Sequence, residues 1–220
     1  MSILIKNVVL NNKKQDIFIE GNKIENIGRL NFKAEEKIDG KGKAVLPGFV
    51  NCHTHSAMSL LKGYADDFPL KKWLTEKIWL LEKNISKDDV YLGTKLACLE
   101  MIKTGTTCFN DMYWHAGGAI EAVKEMKIRA VIGLIMADFS QAGSEENVKI
   151  SYKKFKDRLP ENISLAIAPH AIYTVSKENL IWAKNFANEN NLLLHIHLSE
   201  TVDEVKNCIA QHKMTPVEYL

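Results

Sequence analysis

The 220-residue sequence predicts an α/β protein whose larger part is a series of strand–helix units. From residue 46 onward, short apolar strands alternate with amphipathic helices, which is typical of parallel sheets. Histidines follow several of these strands, and in a (β/α)8 barrel the functional side chains lie where strands end. A doubly wound open sheet is the alternative. It usually carries a glycine-rich loop after its first strand, whereas this sequence has His-Thr-His-Ser at 53–56.

The first 46 residues predict a separate β layer. Residues 3–10 are rich in β-branched and aliphatic side chains, and residues 16–28 alternate in polarity around Gly21 and Asn22, which is typical of a hairpin. Nothing in this stretch suggests chemistry. We therefore predict two domains: a small β-sandwich layer at residues 1–46 and a partial barrel at residues 47–220.

Five strand–helix units are predicted after residue 46. The later strands are placed at 106–110, 129–136, 164–168 and 192–198, and the helices at 86–103, 118–126, 145–158, 176–190 and 201–211. Residues 70–84 also have helical apolar spacing. Two capping boxes support the helix starts: Ser86 with Asp89, and Thr201 with Glu204.

Composition excludes several classes of function. The chain is 46% hydrophobic and 25% charged with a net charge of +2, so neither nucleic acid nor an anionic membrane is an expected partner. No apolar run approaches the ~18 residues of a membrane span, and the start lacks the pattern of a signal peptide. Four widely separated cysteines predict reduced, buried thiols. These features predict a cytoplasmic protein.

Histidines give the first indication of chemistry. Side chains alternate along a strand, so His53 and His55 face one side at the end of the first barrel strand. Alone, this pair could equally be hydrogen-bonded core histidines, but His170 and His197 follow the fourth and fifth strands and reach the same rim. Catalytic zinc uses three protein ligands and keeps one open position. His195 lies one layer deeper and is predicted to be a packed core histidine.

Several motifs occur together along the chain: Pro-Gly-Phe-Val-Asn-Cys-His-Thr-His at 47–55, Trp-Leu-Leu-Glu at 79–82, Thr-Gly-Thr-Thr at 104–107, Asp-Met-Tyr at 111–113, Ala-Pro-His at 168–170 and His-Leu-Ser-Glu-Thr at 197–201. In combination they resemble the amidohydrolase superfamily, and within it the deaminases of 5′-methylthioadenosine and S-adenosylhomocysteine with the related chlorohydrolases. The resemblance implies a metal-dependent hydrolase (β/α)8 barrel, truncated here after about five units.

The resemblance also implies a set of site residues. Glu200 matches the acid–base glutamate, which also contacts substrate. His170 matches a substrate-contacting histidine, and Glu82 a glutamate that holds the ribose hydroxyls, although an ordinary exposed helix glutamate is the simpler interpretation of Glu82. One divalent metal is expected, zinc or alternatively iron, because the fourth strand ends without the lysine of binuclear members. The matching metal ligands are His53, His55 and His197.

The implied function is hydrolytic deamination of an amino-purine nucleoside such as 5′-methylthioadenosine or S-adenosylhomocysteine. In the family, arginines bind a substrate carboxylate, and residues 134–138 and 142–144 contain none. This weakens the case for S-adenosylhomocysteine as the substrate. Guanine deamination, triazine chlorohydrolysis and a non-catalytic metal-binding fragment remain alternatives. The family's strand-six histidine and strand-eight aspartate have no counterpart here. The chain alone is therefore expected to be inactive and to self-associate through its open half-barrel.

Overall fold

The computed structural model describes all 220 residues, which form two compact units, Met1–Gly48 and Phe49–Leu220. The division falls two residues after the boundary predicted from sequence. None of the helices combines the length and the apolar character needed to cross a membrane.

The first unit is a single four-stranded sheet in the order β3-β2-β1-β4. Neighbours β1–β2 and β2–β3 are antiparallel, and β4 runs parallel to β1. Leu4, Val8 and Ile17 are almost completely buried on the sheet. The predicted first strand and the hairpin over 16–28 are both confirmed. The strands are β1 (Ser2–Leu10), β2 (Lys13–Glu20), β3 (Lys23–Gly28) and β4 (Glu36–Asp39).

A buried carboxylate organises this sheet. Asp16, on β2, is 8% exposed. Its side chain accepts hydrogen bonds from the backbone N–H groups of Asn7 and Leu30, both at 2.9 Å, and pairs with the Lys6 ammonium at 2.9 Å. The bond from Leu30 contributes most to lowering the pKa of Asp16 from 3.8 to about 2, and the bond from Asn7 and the Lys6 charge act in the same direction.

We expect Asp16→Asn to destabilise the chain by about 2 kcal/mol at pH 7, because charged hydrogen bonds in a buried setting are lost. The folded-state pKa is lower than the unfolded one, so this contribution is complete above pH 4 and is lost as the pH falls towards 2. Urea unfolding at a series of pH values should show the two proteins converging in this window. Asp39→Asn, at an exposed position on the same sheet, is the control. A difference between Asp16→Asn and the unsubstituted chain that is independent of pH would contradict the assignment.

The second unit contains five parallel strands in the order β5-β6-β7-β8-β9. Their order in space follows their order in the chain. A doubly wound sheet instead reverses direction at a switch point, so the observed order confirms the curled half-barrel. The strands are β5 (Phe49–Thr54), β6 (Thr106–Tyr113), β7 (Arg129–Met136), β8 (Ile163–Pro169) and β9 (Leu193–Leu194).

Helices follow these strands as predicted and bury their apolar faces against the sheet. The Ser86–Asp89 capping box is present in full, and Gly105 closes that helix with φ 86°. The predicted Thr201–Glu204 box is only half formed, because the Glu204 carboxylate binds elsewhere. The longer helices are α3 (Lys87–Thr104), α4 (Ala116–Met126), α5 (Glu145–Phe155), α6 (Lys177–Glu189) and α7 (Val202–His212), and a short α8 (Pro216–Tyr219) ends the chain.

The predicted helix over 70–84 is interrupted. Two short α-helical segments, α1 (Leu70–Trp73) and α2 (Trp79–Glu82), flank a π-helical turn at Leu74–Ile78. Such turns are rare and occur mainly at functional sites. Buried Ile78 anchors the turn, and the wider turn changes the direction in which the following α2 side chains project.

The strand predicted at 192–198 is much shorter in the structure than in the prediction. Regular pairing is limited to Leu193–Leu194, and the backbone N–H groups of His195 and His197 then bind the carbonyls of Ile167 and His170, both at 3.1 Å. β9 has a neighbour on one side only, so nothing enforces a longer regular ladder. Leu193 is 64% exposed at this edge. Self-association through the edge stays a prediction.

The rim that carries His53 and His55 is held close to helix α3. A 3₁₀ turn at Ser56–Leu61 follows β5, and a Cβ on Gly93 of α3 would lie 2.3 Å from the Ala57 carbonyl oxygen. Only glycine permits this approach. Helix α3 therefore packs directly against the turn that follows the histidine pair.

Candidate metal centre

Three histidines meet at the carboxyl ends of β5 and β9. The ring centroids of His53, His55 and His197 form a triangle with sides of 5.0, 5.1 and 5.2 Å. One nitrogen from each ring lies within 4.8 Å of the others. Imidazole nitrogens at such spacing can converge on one ion at the ~2.0–2.1 Å typical of zinc. Strand positions predicted that these three residues and His170 share one rim, the family resemblance selected the three, and the structure brings them together.

Backbone carbonyls orient two of the three rings. The Nδ1 atom of His55 lies 2.6 Å from the Met112 carbonyl oxygen, and Nδ1 of His197 lies 2.8 Å from that of His170. A carbonyl can only accept, so both Nδ1 atoms donate, which leaves Nε2 with a free lone pair. Metal-binding histidines commonly have their second nitrogen fixed in this way. The donor set therefore fits a divalent metal.

Burial keeps His197 in the neutral form that binds metal. Desolvation lowers its pKa to about 3, and the neighbouring His170 and His55 act in the same direction. A neutral imidazole is required because a protonated ring has no lone pair to offer.

His170 lies beside the three-histidine cluster but outside it. Its ring centroid is 4.9 Å from that of His197. The Thr174 hydroxyl donates to the Ala171 carbonyl oxygen at 3.1 Å, so it accepts from Nδ1 of His170 at 2.9 Å. This arrangement leaves Nε2 of His170 as an acceptor. Burial, with a smaller contribution from His55, lowers the pKa of His170 to about 4.

His195 lies deeper, as predicted, and touches Asn110. The Asn110 amide nitrogen is 3.1 Å from Nδ1 of His195, while Nε2 is buried without a hydrogen-bond partner. A Cβ on Gly133 would lie 2.7 Å from that nitrogen, so this glycine in β7 makes room for the ring. His195 is not in the cluster that can hold a metal.

Glu200 occupies an exposed position in the loop after His197. The preceding Ser199 has φ 56°, a left-handed conformation that is uncommon for serine. The carboxylate of Glu204, which is 5% exposed, accepts from the N–H groups of Ser199 at 2.9 Å and Glu200 at 2.8 Å. Glu204 thereby holds the backbone that carries Glu200. Sequence reasoning assigned Glu204 only a capping role.

A cavity lined by aromatic side chains adjoins His55 and His170. Phe139 packs against Trp79 and Trp114, with ring centroids 4.9 and 6.2 Å apart. The Trp114 indole N–H donates to the Glu82 carboxylate at 3.1 Å. Sequence reasoning placed Glu82 here by resemblance but missed the aromatic wall, which combines Trp79 of α2 with Trp114 and Phe139 from the segments after β6 and β7.

The cavity lining contains an acidic side chain, Glu82, but no lysine or arginine to balance it. Burial raises the pKa of Glu82, and the hydrogen bond from Trp114 partly offsets this effect. The cavity therefore combines apolar walls with a hydrogen-bond acceptor and offers no group that would pair with a carboxylate.

Comparison with known proteins agrees with this arrangement. A model described as "Amidohydrolase family" matches residues 44–220, which include the half-barrel and all three clustered histidines. The chain belongs to the amidohydrolase family. This membership confirms the resemblance drawn from the motifs.

Relatives of this amidohydrolase include named deaminases. The chain is 44% identical to the 5′-deoxyadenosine deaminase of Methanococcus aeolicus and 45% identical to that of Methanocaldococcus jannaschii, covering 99% of this chain and 54% of each relative. A zinc-bound adenosine deaminase from Xanthomonas campestris superposes with a TM-score of 0.91 at 31% identity, over 98% of this chain and 53% of that structure. The chain thus spans about half the length of the curated relatives it matches.

Proposed function

We propose that this chain forms the metal centre and nucleoside pocket of a hydrolytic deaminase that removes the 6-amino group of an adenosine-type nucleoside. The observation that carries the proposal is the adjacency of the three-histidine cluster to an aromatic cavity containing Glu82. Relatives more than 40% identical to the chain bear the name 5′-deoxyadenosine deaminase, which supports the same reaction class.

His53, His55 and His197 would hold one divalent metal, which we propose to be zinc. Imidazole nitrogen suits both zinc and iron, and the zinc-bound structure at 31% identity favours zinc. When bound, the ion supplies Lewis acidity that brings the pKa of water to about 7. The chain contributes neutral imidazoles, two of which are held in one tautomer by the Met112 and His170 carbonyl groups.

Glu200 is the proposed acid–base residue. It lies beyond His197 at the same rim, and its backbone is held by Glu204. Its carboxylate would accept a proton from the attacking water and transfer it to a ring nitrogen of the purine, so that ammonia can leave. His170, with Nε2 free as an acceptor, would contact the substrate beside the reacting carbon.

Glu82 and the aromatic wall are the proposed nucleoside contacts. A carboxylate accepts hydrogen bonds from two adjacent hydroxyl groups, and the Trp114 indole N–H holds the carboxylate of Glu82 in place. Phe139 and Trp79 provide an apolar surface for the 5′ end of the nucleoside. With no lysine or arginine in the lining, a 5′-methyl or 5′-methylthio group suits the cavity better than the charged end of S-adenosylhomocysteine.

This selectivity gives a direct test. In the full-length, zinc-loaded protein, we expect kcat/KM for ammonia release from 5′-deoxyadenosine to exceed that from S-adenosylhomocysteine by about tenfold or more, since 1.4 kcal/mol of differential binding suffices. Phe139→Arg should narrow that ratio by adding a cation where the carboxylate would lie. Phe32→Arg, at an exposed phenylalanine in the first unit, is the control.

The outcomes separate the alternatives. Turnover of guanine or a triazine, without turnover of any adenosine, would replace the proposed substrate class. Stoichiometric metal without ammonia release from any substrate would indicate a non-catalytic metal-binding protein.

A further inference from the structure

We propose that Asp111 is a positioning residue that sets the orientation of His55 towards a bound metal. The inference rests on the metal centre in the proposed function and assigns a role to a residue outside the three ligands. Asp111 lies in β6 and is 1% exposed, without a cation to pair with it. Carboxylates are almost never fully buried unless their hydrogen bonds are satisfied, so its partners indicate its role.

Both residues that flank His55 bind this carboxylate. Oδ1 of Asp111 accepts from the Ser56 backbone N–H at 2.7 Å and from the Thr54 hydroxyl at 2.9 Å. Oδ2 accepts from the Ser56 hydroxyl at 3.0 Å. Three donors, one from the residue before His55 and two from the residue after it, therefore converge on a single side chain.

The same strand also fixes the His55 ring. The residue after Asp111 is Met112, whose carbonyl oxygen accepts from Nδ1 of His55 at 2.6 Å. The His55 backbone, at φ −121° and ψ 73°, belongs to neither a helix nor a strand. Its conformation is therefore not set by regular hydrogen bonding. Asp111 binds the Ser56 backbone and the side chains of Thr54 and Ser56, while Met112 holds the ring.

A conservative and a non-conservative substitution of Asp111 should differ in their effect on the turn that carries His55. In Asp111→Asn, the amide oxygen can keep the bonds from Ser56 N–H and Thr54. The amide nitrogen can donate to the Ser56 hydroxyl, which then donates to Thr94, 2.9 Å away. The bonds to the two residues that flank His55 are therefore kept. In Asp111→Ala, the Ser56 N–H loses its acceptor, and the Thr54 and Ser56 hydroxyls keep only Asn110 and Thr94 as partners, so the turn that carries His55 is released.

The experiment measures metal affinity on the 220-residue chain, with Zn²⁺ in competition with a chromophoric chelator and with Co²⁺ by its visible absorption. We expect Asp111→Ala to bind Zn²⁺ 10–100-fold more weakly, the range typical of residues that orient metal ligands, and to alter the Co²⁺ spectrum. Asp111→Asn should restore affinity to within about threefold of the unsubstituted chain, since its bonds are preserved.

A matched pair of threonines controls for loss of stability. Thr54→Val and Thr94→Val each remove one hydroxyl group without changing shape. The Thr54 hydroxyl is shared between the Asn110 carbonyl oxygen at 2.8 Å and Asp111 at 2.9 Å, whereas the Thr94 hydroxyl contacts Ser56. Thr54→Val should weaken Zn²⁺ binding about 3–10-fold, and Thr94→Val should leave it unchanged. If Asp111→Ala fails to fold, the comparison of Zn²⁺ affinity between Thr54→Val and Thr94→Val tests the inference in its place. Equal affinities in the two threonine variants would overturn the inference, as would unsubstituted affinity in a folded Asp111→Ala chain.

His55→Ala distinguishes the two proposals. If it leaves Zn²⁺ affinity intact, the metal centre itself is wrong. If it abolishes binding while Asp111→Ala does not weaken it, only the positioning role fails.

Discussion

Under the proposed deaminase function, replacing Glu200 with glutamine is expected to reduce turnover of 5′-deoxyadenosine by about 10²–10⁴-fold while the metal content stays the same. Glutamine keeps the size of the side chain but cannot carry the proton, and general acid–base catalysis contributes an effect of this size. The Glu204 bonds go to the backbone of Ser199 and Glu200, so the loop should keep its conformation. Loss of rate would therefore report chemistry at the Glu200 carboxylate.

The measurement pairs ammonia release with elemental analysis of the same samples. Asp203→Asn is the matched control, because it neutralises an exposed acidic residue in the helix that follows the same loop. Its turnover should equal that of the unsubstituted enzyme. Turnover by Glu200→Gln within a few fold of the unsubstituted enzyme would remove Glu200 from the mechanism.

His197→Ala is expected to weaken Zn²⁺ binding by about a hundredfold or more, since each ligand contributes on the order of 3 kcal/mol to a zinc site. His197, the proposed ligand in the segment after β9, completes the triangle with His53 and His55 at the end of β5. Without it, a pair of imidazoles from one strand remains. Chelator competition on the 220-residue chain measures the change.

His212→Ala provides the comparison for that experiment. His212 ends α7 and stacks on Tyr219, away from the cluster, so its loss should leave Zn²⁺ affinity unchanged. Equal Zn²⁺ affinities for His197→Ala and His212→Ala would show that the metal binds elsewhere.

The strand–helix order and the histidine cluster were accessible from sequence because both depend on local periodicity. His53 and His55 share a side because side chains alternate along any strand. His197 joins them because parallel strands in a barrel end at one rim. Residue spacing and fold class bring His170 to the same rim as well, and the family resemblance selected His197 as the third member.

The extent of β9 and the break in the predicted helix over 70–84 depended on tertiary structure. The shortness of Leu193–Leu194 follows from pairing on one side, and the π turn at Leu74–Ile78 is anchored by buried Ile78. Apolar spacing predicts that a segment is helical but does not reveal a local change in its turn.

The roles of the buried carboxylates were likewise decided by the tertiary structure. In the sequence, Asp111 appeared only as part of the Asp-Met-Tyr motif at 111–113, and Glu204 as half of a capping box. Which donors they bind depends on strands and loops that are distant in sequence. Asp111, for example, binds Ser56 and Thr54, which precede it by 55 and 57 positions. Spacing along one chain specifies which side a residue faces, and only packing specifies which backbone groups its side chain meets.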